Sequence, residues 1–187
     1  MNGLVSLMGT SVTRPTEAAR ALLGLNLSRD VAWTMLALSL VVTVLVMFVM
    51  SGGEPVPLVP ALEPLSPWMT LVFLGCTTVI LGYAIHFTGN AMDGEGTLTG
   101  ALLIVAWLQI LQVAGLIIQG MLILFSPPLS ALAGLGISIG LIWVLLSFVS
   151  ELHNFGSLGR AALLMLFVIV GIMLGLTLLL GLIGVGL

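Results

Sequence analysis

Five long apolar runs, separated by short polar breaks, set the pattern of the chain. Val31–Met50, Leu98–Phe125, Leu129–Val149 and Ala161–Leu187 contain no charged residue, and Trp68–Thr88 contains only His86 as a titratable group apart from Cys76 and Tyr83. Each run matches or exceeds the roughly 20 residues that cross a hydrocarbon core as a helix. Apolar residues surround each run instead of forming one stripe, as in a helix bathed in lipid or enclosed in a bundle. The period-two alternation of a barrel strand is absent. The pattern predicts an all-α polytopic integral membrane bundle of five transmembrane helices over residues 31–187, with spans near 31–50, 68–88, 98–125, 129–149 and 161–187. The third and fifth runs are longer than the bilayer needs, so they are expected to tilt or protrude.

The breaks have local causes. Ser51-Gly52-Gly53 ends the first run, and Pro55, Pro57, Pro60, Pro64 and Pro67 follow it. Proline removes a donor and restricts the residue before it, so an extended loop is expected there. Gly89 to Thr97 ends the second run, Ser126-Pro127-Pro128 makes a tight turn, and Glu151 to Arg160 separates the last two. Before the first span, residues 1–30 read as a polar and mixed segment containing a short amphipathic helix over 14–25. Thr13 or Arg14 is placed to cap it, Pro15 suits its first turn and Glu17 favours its positive end. Ala18, Leu22 and Leu25 share one face, with Ala19 and Leu23 beside it. This face predicts an interfacial helix, with Arg20 long enough to reach headgroups. The mixed segment and the long first run do not fit a cleaved signal peptide.

Composition narrows the function. Hydrophobic residues make up 60% of the chain and charged residues 6%, against about a quarter in soluble domains. That excludes a water-soluble enzyme and a nucleic-acid binder with a basic patch. Lone Cys76 cannot form an intrachain disulfide, and a mid-span thiol stays neutral and inert. The cations are four Arg, with no Lys. Arg14, Arg20, Arg29 and Arg160 all fall on the side of the N-terminal segment and the 89–97 and 151–160 loops. The Pro-rich loop and the 126–128 turn contain none. The positive-inside rule then predicts a cytoplasmic N-terminus and an external C-terminus, in a bacterial cytoplasmic (inner) membrane.

Polar residues within the spans are few. Gln109, Gln112 and Gln119 share a face of the third span, as interhelical glue or as a polar path. No Asp, Glu, Lys or Arg lies mid-membrane, which disfavours proton-coupled transport. Gly75 and Gly82, Gly136 and Gly140, and Gly171 and Gly175 are expected at helix-packing positions, where small residues let backbones approach. Within one bundle they would seat neighbouring helices; between copies they would support a homo-oligomer.

The predicted cytoplasmic loops carry Asp93, Glu95, Glu151 and His153, the candidate contact residues. Their spacing fits no metal loop: a calcium loop starting at Asp93 would place Leu98 where Gly is required. As a dinucleotide loop, Gly94 and Gly96 are followed by Thr99 and preceded by no strand. Ser147 and Ser150 lie near His153 in sequence without a nucleophile elbow. No catalytic residue, metal or cofactor is therefore expected.

Three ordered segments carry a resemblance. They are Thr13-Arg14-Pro15-Thr16-Glu17-Ala18-Ala19-Arg20-Ala21-Leu22-Leu23, then Gly94-Glu95-Gly96-Thr97-Leu98-Thr99-Gly100-Ala101-Leu102, then Glu151-Leu152-His153-Asn154-Phe155-Gly156-Ser157 with Arg160-Ala161. In order and spacing the chain resembles the membrane domain of the Yip (Ypt-interacting protein) family in its bacterial branch, over roughly residues 12–187. It departs from the family in having Gln109 and Gln112 after Trp107, with no proline there. The resemblance implies five spans, a cytoplasmic N-terminus and a membrane address. Eukaryotic members typically carry a cytosolic N-terminal extension and are associated with Rab-type GTPases and vesicle traffic; that role is not carried over. The expected function is a non-enzymatic membrane protein that organises or contacts other membrane components through its cytoplasmic face. A small transporter or channel subunit using the Gln stripe is the alternative. Expected partners are the lipid bilayer and other membrane proteins or a second copy of the chain; nucleic acid is excluded.

Overall fold

The computed structural model describes residues 2–55 and 63–182. Seven helices make up the architecture among these residues: α1 (Asn2–Thr13), α2 (Pro15–Gly24), α3 (Arg29–Met50), α4 (Pro67–Ala91), α5 (Leu98–Ile123), α6 (Pro127–Leu152) and α7 (Leu158–Leu182). Five of them, α3 to α7, are long and apolar enough to cross a membrane. Pro57 and Pro60 of the expected extended loop, and residues 183–187 of the fifth run, lie outside the described residues.

The helices begin where short polar side chains can replace missing backbone partners. Ser28, Ser66, Thr97 and Ser126 each accept a hydrogen bond from the amide three residues on, at Val31, Met69, Gly100 and Leu129. Each such cap stabilises by about 1 kcal/mol. Pro67 and Pro127 occupy first-turn positions, where a missing N–H costs nothing. The expected cap of α2 is not made: Arg14 holds the cap position without a side-chain bond to the helix amides. Thr13 instead ends α1, its hydroxyl donating to Gly9 O at 3.0 Å.

At the centre of the bundle stands α5, packed against α3, α4 and α6. Its membrane window is 56% buried, against 17% to 28% in the other four spans. Gly100 through Trp107 are buried without a break. Eight consecutive buried residues cover every helix face, so this end of α5 is enclosed on all sides. The outer helices bury single stripes, such as Leu36, Leu40, Thr43 and Val44 of α3 and Ala161, Leu164 and Val168 of α7. Their other faces carry exposed Leu, Ile, Val and Phe, as lipid-facing helices do.

The N-terminal segment holds two helices where one is expected. Met8 and Leu7 of α1 pack on the core, and fully buried Ser11 accepts a 2.9 Å hydrogen bond from the Trp107 indole N–H. Trp107 lies nine residues into α5, so α1 reaches about 13 Å along that helix. The signal was Leu4, Leu7, Met8 and Ser11 at helical spacing. In α2, Ala18, Ala19 and Leu22 are buried. They pack against α6 and α5, so the apolar face predicted to meet lipid meets protein.

Candidate functional site

The loop after α4 and the loop after α6 lock together at one end of the bundle. Both helices stop in the same way. Asp93 (φ +60°) and Asn154 (φ +55°) adopt the left-handed conformation just past the ends. Gly94 N–H donates to Gly89 O at 2.9 Å and Asp93 N–H to Asn90 O at 3.2 Å; Phe155 N–H donates to Ser150 O at 2.9 Å and Asn154 N–H to Glu151 O at 3.2 Å. These are paired Schellman motifs, which satisfy the last carbonyls of a helix.

His153 fills the space between them. It is 1% exposed. Its Nδ1 lies 3.1 Å from Val149 O. A carbonyl only accepts, so Nδ1 carries the proton. Nε2 is buried with no hydrogen-bond partner. The ring lies against three glycines. A Cβ at Gly96 would stand 2.5 Å from Nε2 and one at Gly94 2.7 Å from the ring, while one at Gly89 would overlap Nε2 outright. Only backbone without side chains leaves room for the imidazole. Gly94-x-Gly96, which fails as a dinucleotide loop, has this steric role instead.

Further contacts close the junction. The Glu95 amide donates to His153 O at 3.4 Å. His86 of α4 donates from Nδ1 to Gly96 O at 3.0 Å. The Asn90 amide nitrogen, turned to the loop, lies 3.1 Å from both Gly94 O and Gly96 O. On the other face His153 stacks on Phe155, centroids 5.3 Å apart. The Arg160 guanidinium sits 4.9 Å over the Phe155 ring and donates to Met92 O at 3.3 Å. Beside it, Arg20 of α2 donates from Nε to Glu151 at 2.6 Å, instead of reaching for headgroups. The hydrogen bond to Glu151, with the charge of that carboxylate, raises the Arg20 pKa above its ordinary value.

The four candidate contact residues therefore meet at one junction in unequal states. Glu151 is paired with Arg20, and His153 is sealed inside. Asp93 and Glu95 present exposed carboxylates on the loop that covers His153. Among the described residues no three His, Cys, Asp or Glu side chains are grouped to hold a metal. The Ser147 hydroxyl donates to Trp143 O and that of Ser150 to Ser157 O, so neither is engaged with His153. Gly89, Asn90, Phe155 and the Ser11–Trp107 bond are parts that sequence reasoning missed. The pair Gly89 and Gly94-x-Gly96 near a loop histidine was the available signal.

The glutamines separate. Gln109 donates to Thr78 of α4 at 3.0 Å, and the Thr43 hydroxyl of α3 lies 3.5 Å from its carbonyl oxygen. Gln112 is exposed and, with Gln109 and Thr78, lines a cavity of about 200 Å³ between α4, α5 and α6. Gln119 lies against Gly134 of α6, farther along the bundle. The glycines separate too. Gly82 is tight against Leu102, with a Cβ contact of 2.9 Å, and Gly75 is in ordinary contact with Leu40. A methyl added at Gly136, Gly140, Gly171 or Gly175 would meet nothing of the chain within 4 Å. Packing within the bundle, expected for them, is thus not seen; they line open grooves against α1 and α5 and against α4. Close approach instead occurs at Gly100 with Leu152, Gly115 with Ile137 and Gly120 with Met50.

Five apolar spans around a central enclosed helix, locked at one end by two loops, define a polytopic α-helical membrane protein. Residues 9–179 match the Yip1 domain, and the chain belongs to that family. No curated protein and no solved structure matches it.

Proposed function

We propose that this Yip1-domain chain acts without catalysis, organising or contacting other membrane components through the loop junction. The junction would face the cytoplasm of a bacterial cell, with the N-terminus inside and the C-terminus outside. The observation that carries this reading is the sorting of charge. All four arginines belong to the segments on the junction side: Arg14 between α1 and α2, Arg20 in α2, Arg29 at the start of α3, and Arg160 over Phe155. Positive charge accumulates on cytoplasmic loops. Chemistry at His153 is disfavoured by its geometry, because its nitrogen without a proton is closed off from any substrate. Asp93 and Glu95 are left as the outward polar groups, fit for polar contacts with a partner. A photocrosslinking residue at Glu95, in native membranes, is expected to capture membrane proteins that the same residue at Leu124 does not. Equal capture at both ends, or a reporter fused after Leu187 that stays cytoplasmic, overturns the reading.

A small transporter or channel subunit is a second reading, favoured by one observation. The cavity at Gln112 has room for roughly six waters at ~30 Å³ each. Flux in proteoliposomes that Gln112→Leu abolishes would replace the first reading with this one.

A further inference from the structure

We propose that the loop junction is an acid-opened latch: the neutral His153 ring, seated among Gly89, Gly94 and Gly96, holds the two loops together, and a proton gained at Nε2 drives the ring out and parts them. The geometry permits little else. With Nδ1–H bonded to Val149 O, the incoming proton must go to Nε2. Nε2 has neither an acceptor within reach nor solvent. The surrounding carbonyls are engaged: Gly89 O by the amides of Met92 and Gly94, Gly96 O by His86 and Asn90, Gly94 O by Asn90. A buried cation without a partner is costly, so the ring must move or refuse the proton.

The charged and titratable groups around the ring do not relieve it. From α4 comes His86, whose charge would repel the new one. From α7 comes Arg160, a second cation beyond Phe155. Glu151, on its own helix, is held by Arg20 of α2. Asp93 and Glu95, on the covering loop, point exposed carboxylates to solvent, and among the described residues neither forms an ion pair with His153. Burial first, then the repulsion from His86, hold the His153 pKa below its ordinary 6.5, against the bond to Val149. The sign follows. Below 6.5 the released ring binds a proton that the seated ring refuses, so the closed state has its full stability above about 6.5 and loses it as pH falls through the lowered value. Within that window the opening constant rises by up to about tenfold per pH unit. Opening separates Glu95 N–H from His153 O and exposes Phe155, now buried.

The test uses the full chain in lipid nanodiscs. His86 and His153 are its only histidines, so ring ¹⁵N spectra of the protein and of His86→Gln identify each. Hydrogen exchange, corrected for its intrinsic pH dependence, is followed over 89–97 and 151–160 from about pH 7.5 to about pH 4.5. The expected result is protonation of His153 below 6.5 together with faster exchange in both loops, while α5 stays protected. His153→Gln should remove the pH response. Gly96→Ala, whose methyl meets Nε2, should open the loops already at neutral pH. Protonation of His153 without faster loop exchange, an unchanged pH response in His153→Gln, or full loop protection in Gly96→Ala overturns the latch.

Discussion

The two ends of the bundle use the same backbone devices and differ in everything attached to them. At the junction end, α4 and α6 finish in Schellman motifs; at the other end, α3 does so through Gly52 (φ +70°) and Gly53. Serine or threonine caps begin helices at both ends. Among the described residues, the junction end adds charged side chains that bridge distant segments, Arg20 to Glu151 and Arg160 to Met92, and sets His153 against glycines of another loop. At the turn between α5 and α6, Leu124 and Phe125 are 82% and 83% exposed. Caps and turns satisfy a helix end locally and carry no information about neighbours. The bridging contacts tie four elements into one arrangement, and they coincide with the scarce charges. The difference teaches that one end is fixed by contacts between distant segments, while the other leaves apolar side chains such as Leu124 and Phe125 exposed.

The largest effect that should sharpen this comparison is at Gly89. Gly89→Ala drives a methyl into His153 and should destabilise by about 3 kcal/mol, an overpacking cost. Gly136→Ala, in open space within a helix, should be neutral or stabilising by up to about 1 kcal/mol. Thermal unfolding in nanodiscs compares them, and equal shifts would erase the distinction. Next, Gln109→Leu removes the hydrogen-bond partner of Thr78 and should cost about 1 kcal/mol, whereas Gln112→Leu, with no bond to lose, should cost almost nothing. Trp107→Phe removes the bond to Ser11 and should cost about 1 kcal/mol, read as faster exchange confined to α1. The smallest effect belongs to Glu151→Gln. It frees exposed Arg20 and should loosen α2 slightly at low ionic strength, the difference fading as salt screens the pair. A salt-independent change would mean that packing, not charge, holds α2.

Much of the fold was legible because its cause is local. Runs such as Val31–Met50 cannot avoid the membrane, and Ser126-Pro127-Pro128 both ends one helix and starts the next. The helix before the first span was legible from Pro15, Glu17 and the Ala18–Leu22 spacing. Its neighbour α1 was not, because its short pattern of Leu4, Leu7 and Met8 acquires meaning only when Trp107 receives Ser11. The glycines were read by spacing alone, and spacing cannot say which helix stands opposite. Gly136 and Gly140 thus appeared equivalent to Gly82, though only Gly82 meets a neighbour's side chain closely.

By itself the sequence determined that this is a membrane protein of five helical spans, with its arginines gathered on one side, because hydropathy and charge act residue by residue against lipid and water. Family membership was also written there, in the order and spacing of three short segments. Tertiary structure alone decided that α5 is the enclosed helix, that Arg20 chooses Glu151 across 131 residues, and that His153 is sealed by glycines from another loop. Those outcomes depend on which surfaces meet in space, and burial at such a meeting, not residue type, turns an ordinary loop histidine into a group that must choose between its seat and a proton.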